Sequence, residues 1–186
     1  LLDCLGCHVV HDVELGLGGT IARHVSKNDN VHILIITDSE YKNFDGTKIR
    51  TKKIARQEAL KAARIMGVNK VNFLDYKTKE VKYDVNLIED INVVIDQVEP
   101  DVIYTHWDGD INQDHSAVAQ ATIVAGRHVP RILMYRSNWY KSYKHFENNF
   151  YVDITDFIQT KIDAVKAHKS EHERRGSKWS DFFKYN

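Results

Sequence analysis

The chain has 186 residues, long enough to bury a sizeable core as one domain spanning 1–186. Its 26 Lys and Arg balance 26 Asp and Glu, so no net charge argues for nucleic acid or an anionic membrane as partner. No apolar run reaches the ~18 residues of a membrane span, so no spanning helix is expected in it.

Strands and helices alternate along the chain. Leu1–Cys7 is mostly apolar and predicts a strand, and Leu17–Lys27 a helix. The run VHILIIT at Val31–Thr37 predicts a buried strand. Ile49–Met66 has helical periodicity and stops at Gly67, the residue type that ends helices best. Val71–Leu74 predicts a short strand, Asn86–Val98 a helix stopped before Pro100, and Val102–Thr105 a strand. A helix over Ser116–Gly126 and a strand over Ile132–Tyr135 follow. Trp139–Phe150 is aromatic and irregular, and Asp153 is the expected N-cap of a last long helix reaching about His172. Such alternation with short links means parallel strands joined by right-handed crossovers. The expectation is an α/β fold, a Rossmann-like three-layer sandwich with a mostly parallel central sheet of at least five strands.

Cys4 and Cys7 form a C-x-x-C pair, but both lie inside the first strand. Their odd spacing sends them to opposite sheet faces, so they read as buried, inert thiols. With no disulfide framework, a reducing cytoplasm fits. No signal peptide is legible, and the chain opens inside a strand, which leaves open whether residues precede Leu1.

Two segments carry the chemistry. One is His8-Val9-Val10-His11-Asp12-Val13-Glu14-Leu15-Gly16-Leu17-Gly18-Gly19-Thr20, and the other Thr105-His106-Trp107-Asp108-Gly109-Asp110-Ile111-Asn112-Gln113-Asp114-His115. Each follows a predicted strand, so both lie at the carboxyl edge of a parallel sheet, where ligands bind. Zinc takes imidazole nitrogen and carboxylate oxygen, and a catalytic site keeps one position open. His8, Asp12 and His115 can supply three ligands. A base and an oxyanion stabiliser must stand nearby, and His11, Asp114, His106 and Asn112 are the candidates. Gly16 to Gly19 lacks the glycine a dinucleotide loop needs at position 21, which is Ile21, so these glycines are expected to let a helix approach the sheet closely.

These residues resemble a known family. Asp12 through Ala22 is similar to the first motif of the PIG-L/LmbE-like N-acetylglucosaminyl deacetylases, H-P-D-D-x-E-x-G-x-G-G-T. Arg56-Gln57-Glu58-Ala59 with Met66-Gly67-Val68 resembles the family's R-x-E…L-G-V helix. Thr105 to His115 looks like the T-H-x-x-x-D-x-N-x-D-H run of its saccharide-processing branch. Tyr151 to Thr155, Lys161 and Ala167 to Ser170 resemble its closing pattern.

The resemblance implies a zinc-dependent hydrolase that removes acetyl from an N-acetylglucosamine-containing conjugate or saccharide. It implies His8, Asp12 and His115 as ligands of Zn2+ or another divalent ion. Asp114 is implied in the catalytic polar network, and Arg56, His106 and Asn112 near the substrate. Arg56 meets either the substrate or an acidic neighbour on its own helix, and His168 stands either near the site or in solvent. The chain departs from the family at one place. Where Pro-Asp is usual, it has Val9-Val10-His11, so the Asp base is absent. His11 then serves as base, since the ordinary imidazole pKa near 6.5 suits the role, or replaces His8 as a ligand. Otherwise the chain is a non-catalytic relative that binds sugar or serves assembly. Both a monomer and a homo-oligomer remain open.

Overall fold

Five principal strands pair in parallel throughout one sheet. The computed structural model describes residues 2–8, 12–43, 45–68, 70–137, 142 and 144–176. In chain order these are β1 (Asp3–His8), α1 (Asp12–Ser26), β2 (Asn30–Thr37), β3 (Tyr41–Lys42), β4 (Lys48–Arg50) and α2 (Lys52–Ile65). Then come β5 (Lys70–Tyr76), α3 (Val85–Val98), β6 (Val102–His106), α4 (Gln113–Ala125) and β7 (Ile132–Tyr135). A 3-10 turn (Thr155–Phe157), α5 (Ile158–Lys166) and α6 (Lys169–Arg175) close the fold.

The chain winds outward from β1 through β2 to β5, then returns beside β1 with β6 and ends at β7. The reversal lies between β1 and β6, where Gly6 pairs with Tyr104 and Cys7 with Thr105. At such a switch point the loops diverge and leave a crevice at the carboxyl ends of the strands. Alternation along β1 divides the core into two. Cys4 packs with Leu17, Ile21, Ala59 and Ala164 under α1, α2 and α5. Leu5 and Cys7 pack with Leu87, Ile91 and Val118 under α3 and α4. The cysteines thus sit on opposite faces, both buried, and burial pushes each thiol up to about 12. Among the described residues, no helix is long and apolar enough to cross a membrane.

The caps are local. Thr51 accepts from the Ile54 N–H to start α2, and Asp84 from the Leu87 N–H to start α3. Gly67, at φ 83°, ends α2 as expected.

Three boundaries differ from the sequence expectation. The first helix begins at Asp12, five residues before Leu17, and takes Gly16 into its first turns. Glycine is a poor helix former, but here it is required, because a β-carbon on Gly16 would run into the Tyr135 ring of β7. The close approach expected of these glycines is therefore present. Second, Ile49 belongs to the small antiparallel β3–β4 hairpin, not to the helix after it. Third, the last long helix is broken. Asp153 does not cap it but accepts from the N–H and hydroxyl of Thr155, and α5 stops at Lys166. The break at His168 turns that imidazole into the core against Glu14, Nε2 to Oε1 3.1 Å. It also lets Ser170 donate its N–H and hydroxyl to the two oxygens of Glu58, at 2.8 and 2.7 Å.

Candidate metal centre

Asp12 and Glu14 open α1, and His106 ends β6, so the switch point itself brings the first motif and the Thr105–His115 segment together. Asp12, His106 and His115 each offer a ligand atom within 4.8 Å of the other two, and all three are buried. The His106 and His115 rings stack at 4.0 Å with an interplanar angle of 9°.

His115 is held from both sides. Its Nδ1 lies 2.9 Å from Asp110 Oδ2, and its Nε2 lies 3.1 Å from Asp12 Oδ2. Burial works against charge on this ring, but the Asp12 and Asp110 carboxylates outweigh it and push the imidazole up to about 10. Without an ion, both ring nitrogens therefore carry protons, Nδ1 donating to Asp110 and Nε2 to Asp12. A divalent ion between Nε2 and the Asp12 carboxylate would take the place of the Nε2 proton. A carboxylate behind a histidine is how proteins fix the tautomer and orientation of a metal ligand. The residues therefore fit a divalent ion.

His8 adjoins the same cluster, close enough to feel the charges of Asp12 and His115. Its Nδ1 is 2.6 Å from the Tyr135 hydroxyl, and its ring centroid is 6.0 Å from that of His106, edge to face. The ring folds over Gly6, where no side chain could stand. Complete burial lowers the His8 pKa to about 3, so the ring is neutral. His11 lies outside the described residues.

Asp114 and Asn112 are committed to the backbone. Asn112 is the N-cap of α4, accepting from the Asp114 N–H at 3.0 Å. Asp114 accepts from the N–H groups of Lys79 at 2.6 Å and Val81 at 3.3 Å, fixing the loop after β5. Burial raises the Asp114 pKa against the pull of those two donors. Arg56 donates to Asp75 at 2.6 Å and lies over the Phe73 ring, 4.5 Å from its centroid. The acidic group that Arg56 meets belongs to β5 and not to its own helix. His168, read as near the site or in solvent, is buried.

Sequence reasoning missed Asp110, although it stands five residues before His115 in the same segment. It also missed the pairing of Arg50, at the end of β4, with Glu171 of α6 at 3.0 Å, both buried. No local signal joins residues so far apart in sequence. Beside β7 lies a cavity of about 730 Å³, lined in part by Trp107, Tyr135, Phe146, Phe150 and Tyr151. Trp107 and Phe146 meet edge to face at 5.3 Å. Trp139 and Tyr140, also in the aromatic stretch, lie outside the described residues.

The family described as GlcNAc-PI de-N-acetylase (PIG-L) matches residues 10–125. The chain belongs to this family. An Escherichia coli relative, the uncharacterized deacetylase YaiS, is 31% identical over 175 residues, covering 89% of each chain. The diacetylchitobiose deacetylase of Thermococcus kodakarensis is 25% identical over 179 residues, covering 86% of this chain and 66% of its own length. The crystal structure of the conserved protein TT1542 from Thermus thermophilus superposes with a TM-score of 0.83 at 23% identity, covering 99% of this chain and 85% of the other. That structure bears out the three-layer fold. The matched region contains Asp12, His106 and His115.

Proposed function

We propose that this chain is a metal-dependent N-deacetylase of a saccharide or small conjugate containing N-acetylglucosamine, with the ion held by Asp12, His106 and His115. The convergence of these three ligand atoms at the switch point, with Asp110 braced behind His115, carries the reading. Family membership supports the deacetylase activity, and a relative named for diacetylchitobiose supports a sugar amide as substrate. Two imidazoles and a carboxylate form a donor set suited to Zn2+. When bound, the ion would supply Lewis-acid polarisation of the amide carbonyl and a water acidic enough to lose a proton near neutrality.

The chain's own residues do the rest. Asp110 keeps the His115 Nε2 lone pair available. His8, neutral and bonded to Tyr135, buttresses the layer behind His106, and is a supporting residue in this reading. Asp114 shapes the rim through the loop at Lys79, which makes it a positioning residue. His11, next to Asp12 in sequence, takes the place of the family's Asp and is proposed as general base. Asn112 holds the start of α4. Trp107 and Phe146 offer apolar ring faces on which a pyranose can pack.

The test compares acetate release from N-acetylated chitooligosaccharide by the parent chain, by His11→Ala, and by a variant with Val9-Val10-His11 replaced by Pro-Asp. The parent should release acetate, lose that activity on chelation, and regain it with zinc. Adding zinc to the stripped protein should also raise its melting temperature. His11→Ala should lose about 10²- to 10⁴-fold, the usual contribution of a general base. Equal activity of parent and His11→Ala would remove His11 from the mechanism. Silence of both beside an active Pro-Asp variant would make this chain a disabled deacetylase and favour the sugar-binding alternative.

A further inference from the structure

One buried nitrogen beside the metal centre is not used by it. His8 folds back along β1 over Gly6, and its Nε2 is fully buried without a hydrogen-bond partner among the described residues. A polar atom in the interior is costly unless protein or an ordered water meets it.

The neighbours decide what Nε2 needs. The neutral His8 ring carries one proton. Burial pushes the Tyr135 hydroxyl well above its ordinary pKa, so it keeps its proton and donates it to His8 Nδ1 at 2.6 Å. The His8 proton then sits on Nε2, a donor in need of an acceptor. In the other tautomer Nε2 would need a donor, and water can be either.

His8 and Gly6 line a cavity of about 10 Å³, together with Cys4, His24 and Tyr104 and the apolar Leu17 and Ile21 of α1. That is the space the centre of one water needs, and a water is retained where two to four polar groups meet it. Among the described residues, only Asp12, His106 and His115 bring three ligand atoms within 4.8 Å of one another, so the cavity is not a second metal site.

The far wall of the cavity belongs to a second chain of hydrogen bonds. His24 lies between Asp29, with Nδ1 2.8 Å from Oδ2, and Tyr104, with Nε2 2.8 Å from the hydroxyl. In the neutral ring the Nδ1 proton goes to the Asp29 carboxylate, and Nε2 accepts from Tyr104. The Tyr104 oxygen keeps lone pairs for another donor. Strand register sets Tyr104 beside Gly6, and Cys4 Sγ is 3.6 Å from His24 Nδ1.

We propose that this cavity is a binding site for one structural water, which accepts from His8 Nε2 and donates to the Tyr104 oxygen and the Cys4 sulfur. The water joins the Asp29–His24–Tyr104 chain to the His8–Tyr135 pair. It thereby links a cleft of about 550 Å³, lined in part by His24, Asp29 and Tyr104, to the histidines beside the metal centre. Tyr104 is a positioning residue for the His8 ring.

The experiment compares crystal structures of the parent chain, Tyr104→Phe and Cys4→Val at a resolution that shows ordered water. The parent should show one peak about 2.6–3.2 Å from both His8 Nε2 and the Tyr104 oxygen. Tyr104→Phe removes an acceptor and should weaken the peak. Cys4→Val puts a methyl group in the space and should remove it, while Cys4→Ser should keep it. Nuclear magnetic resonance of protein with isotope-labelled histidine gives the solution readout. The His8 Nε2 proton of the parent should show a cross-peak to a long-lived water, and Tyr104→Phe should lose it. A parent with no peak at His8 Nε2, or with that nitrogen turned onto a protein group, overturns the site. A peak unchanged in both Tyr104→Phe and Cys4→Val overturns it as well. Neither measurement needs metal or turnover, so the site can fail while the deacetylase reading stands.

Discussion

Replacing His115 with alanine should cost the proposed metal-dependent deacetylation on the order of a thousandfold or more, about 4 kcal/mol of transition-state stabilisation. His115 is the residue on which the other groups converge. It stacks on His106, faces Asp12 through Nε2 and is held by Asp110 through Nδ1. Alanine would remove a proposed ligand and leave two buried carboxylates facing a void. Asp110→Asn separates the parts of this claim. It keeps the shape and the ligand but weakens the acceptor behind it, so metal affinity should fall by about 10- to 100-fold. Zinc titration with a competing chelator measures both variants. Unchanged affinity in His115→Ala would remove it from the ligand set.

The second large effect is on stability. Glu171→Ala should destabilise the protein by about 3–5 kcal/mol, because it leaves the guanidinium of Arg50 buried without its partner carboxylate. Arg50 is 5% exposed and keeps only the Ser39 carbonyl, at 2.8 Å, among its described hydrogen bonds. Domains of ordinary size have about 5–15 kcal/mol to lose, so the shift is a large share of the total. A double variant, Arg50→Met with Glu171→Leu, removes both charges and should recover most of the loss. Urea unfolding followed by circular dichroism measures it. A single variant as stable as the parent would show that the pair carries no such penalty.

Much of the fold was legible because it rests on local pattern. Buried parallel strands read as apolar runs, and a helix stop such as Gly67 acts within a few residues. The failures were tertiary. The start of α1 at Asp12 runs through a glycine that local propensity disfavours, and the Tyr135 ring makes that glycine necessary. The break at His168 depends on Glu14 and Glu58, more than a hundred residues away in the chain. The β3–β4 hairpin has strands of two and three residues, too short for a periodicity to show.

The site was legible in outline. Asp12 and His115 follow strands whose carboxyl ends must meet, and the structure joins them across 103 positions of sequence. The order of the histidines was not legible. How His8 and His106 are disposed about Asp12 depends on side-chain direction at a strand end, which sequence spacing does not give. In the structure His8 turns to Tyr135 and His106 stacks on His115.

Anomalous diffraction at the zinc edge, from crystals of the parent chain loaded with one equivalent of zinc, tests the central claim most directly. The account predicts a single strong peak among Asp12, His106 and His115, with each ligand atom about 2.0–2.2 Å from it. A peak elsewhere in the molecule, or a protein that takes up no zinc under these conditions, would contradict it.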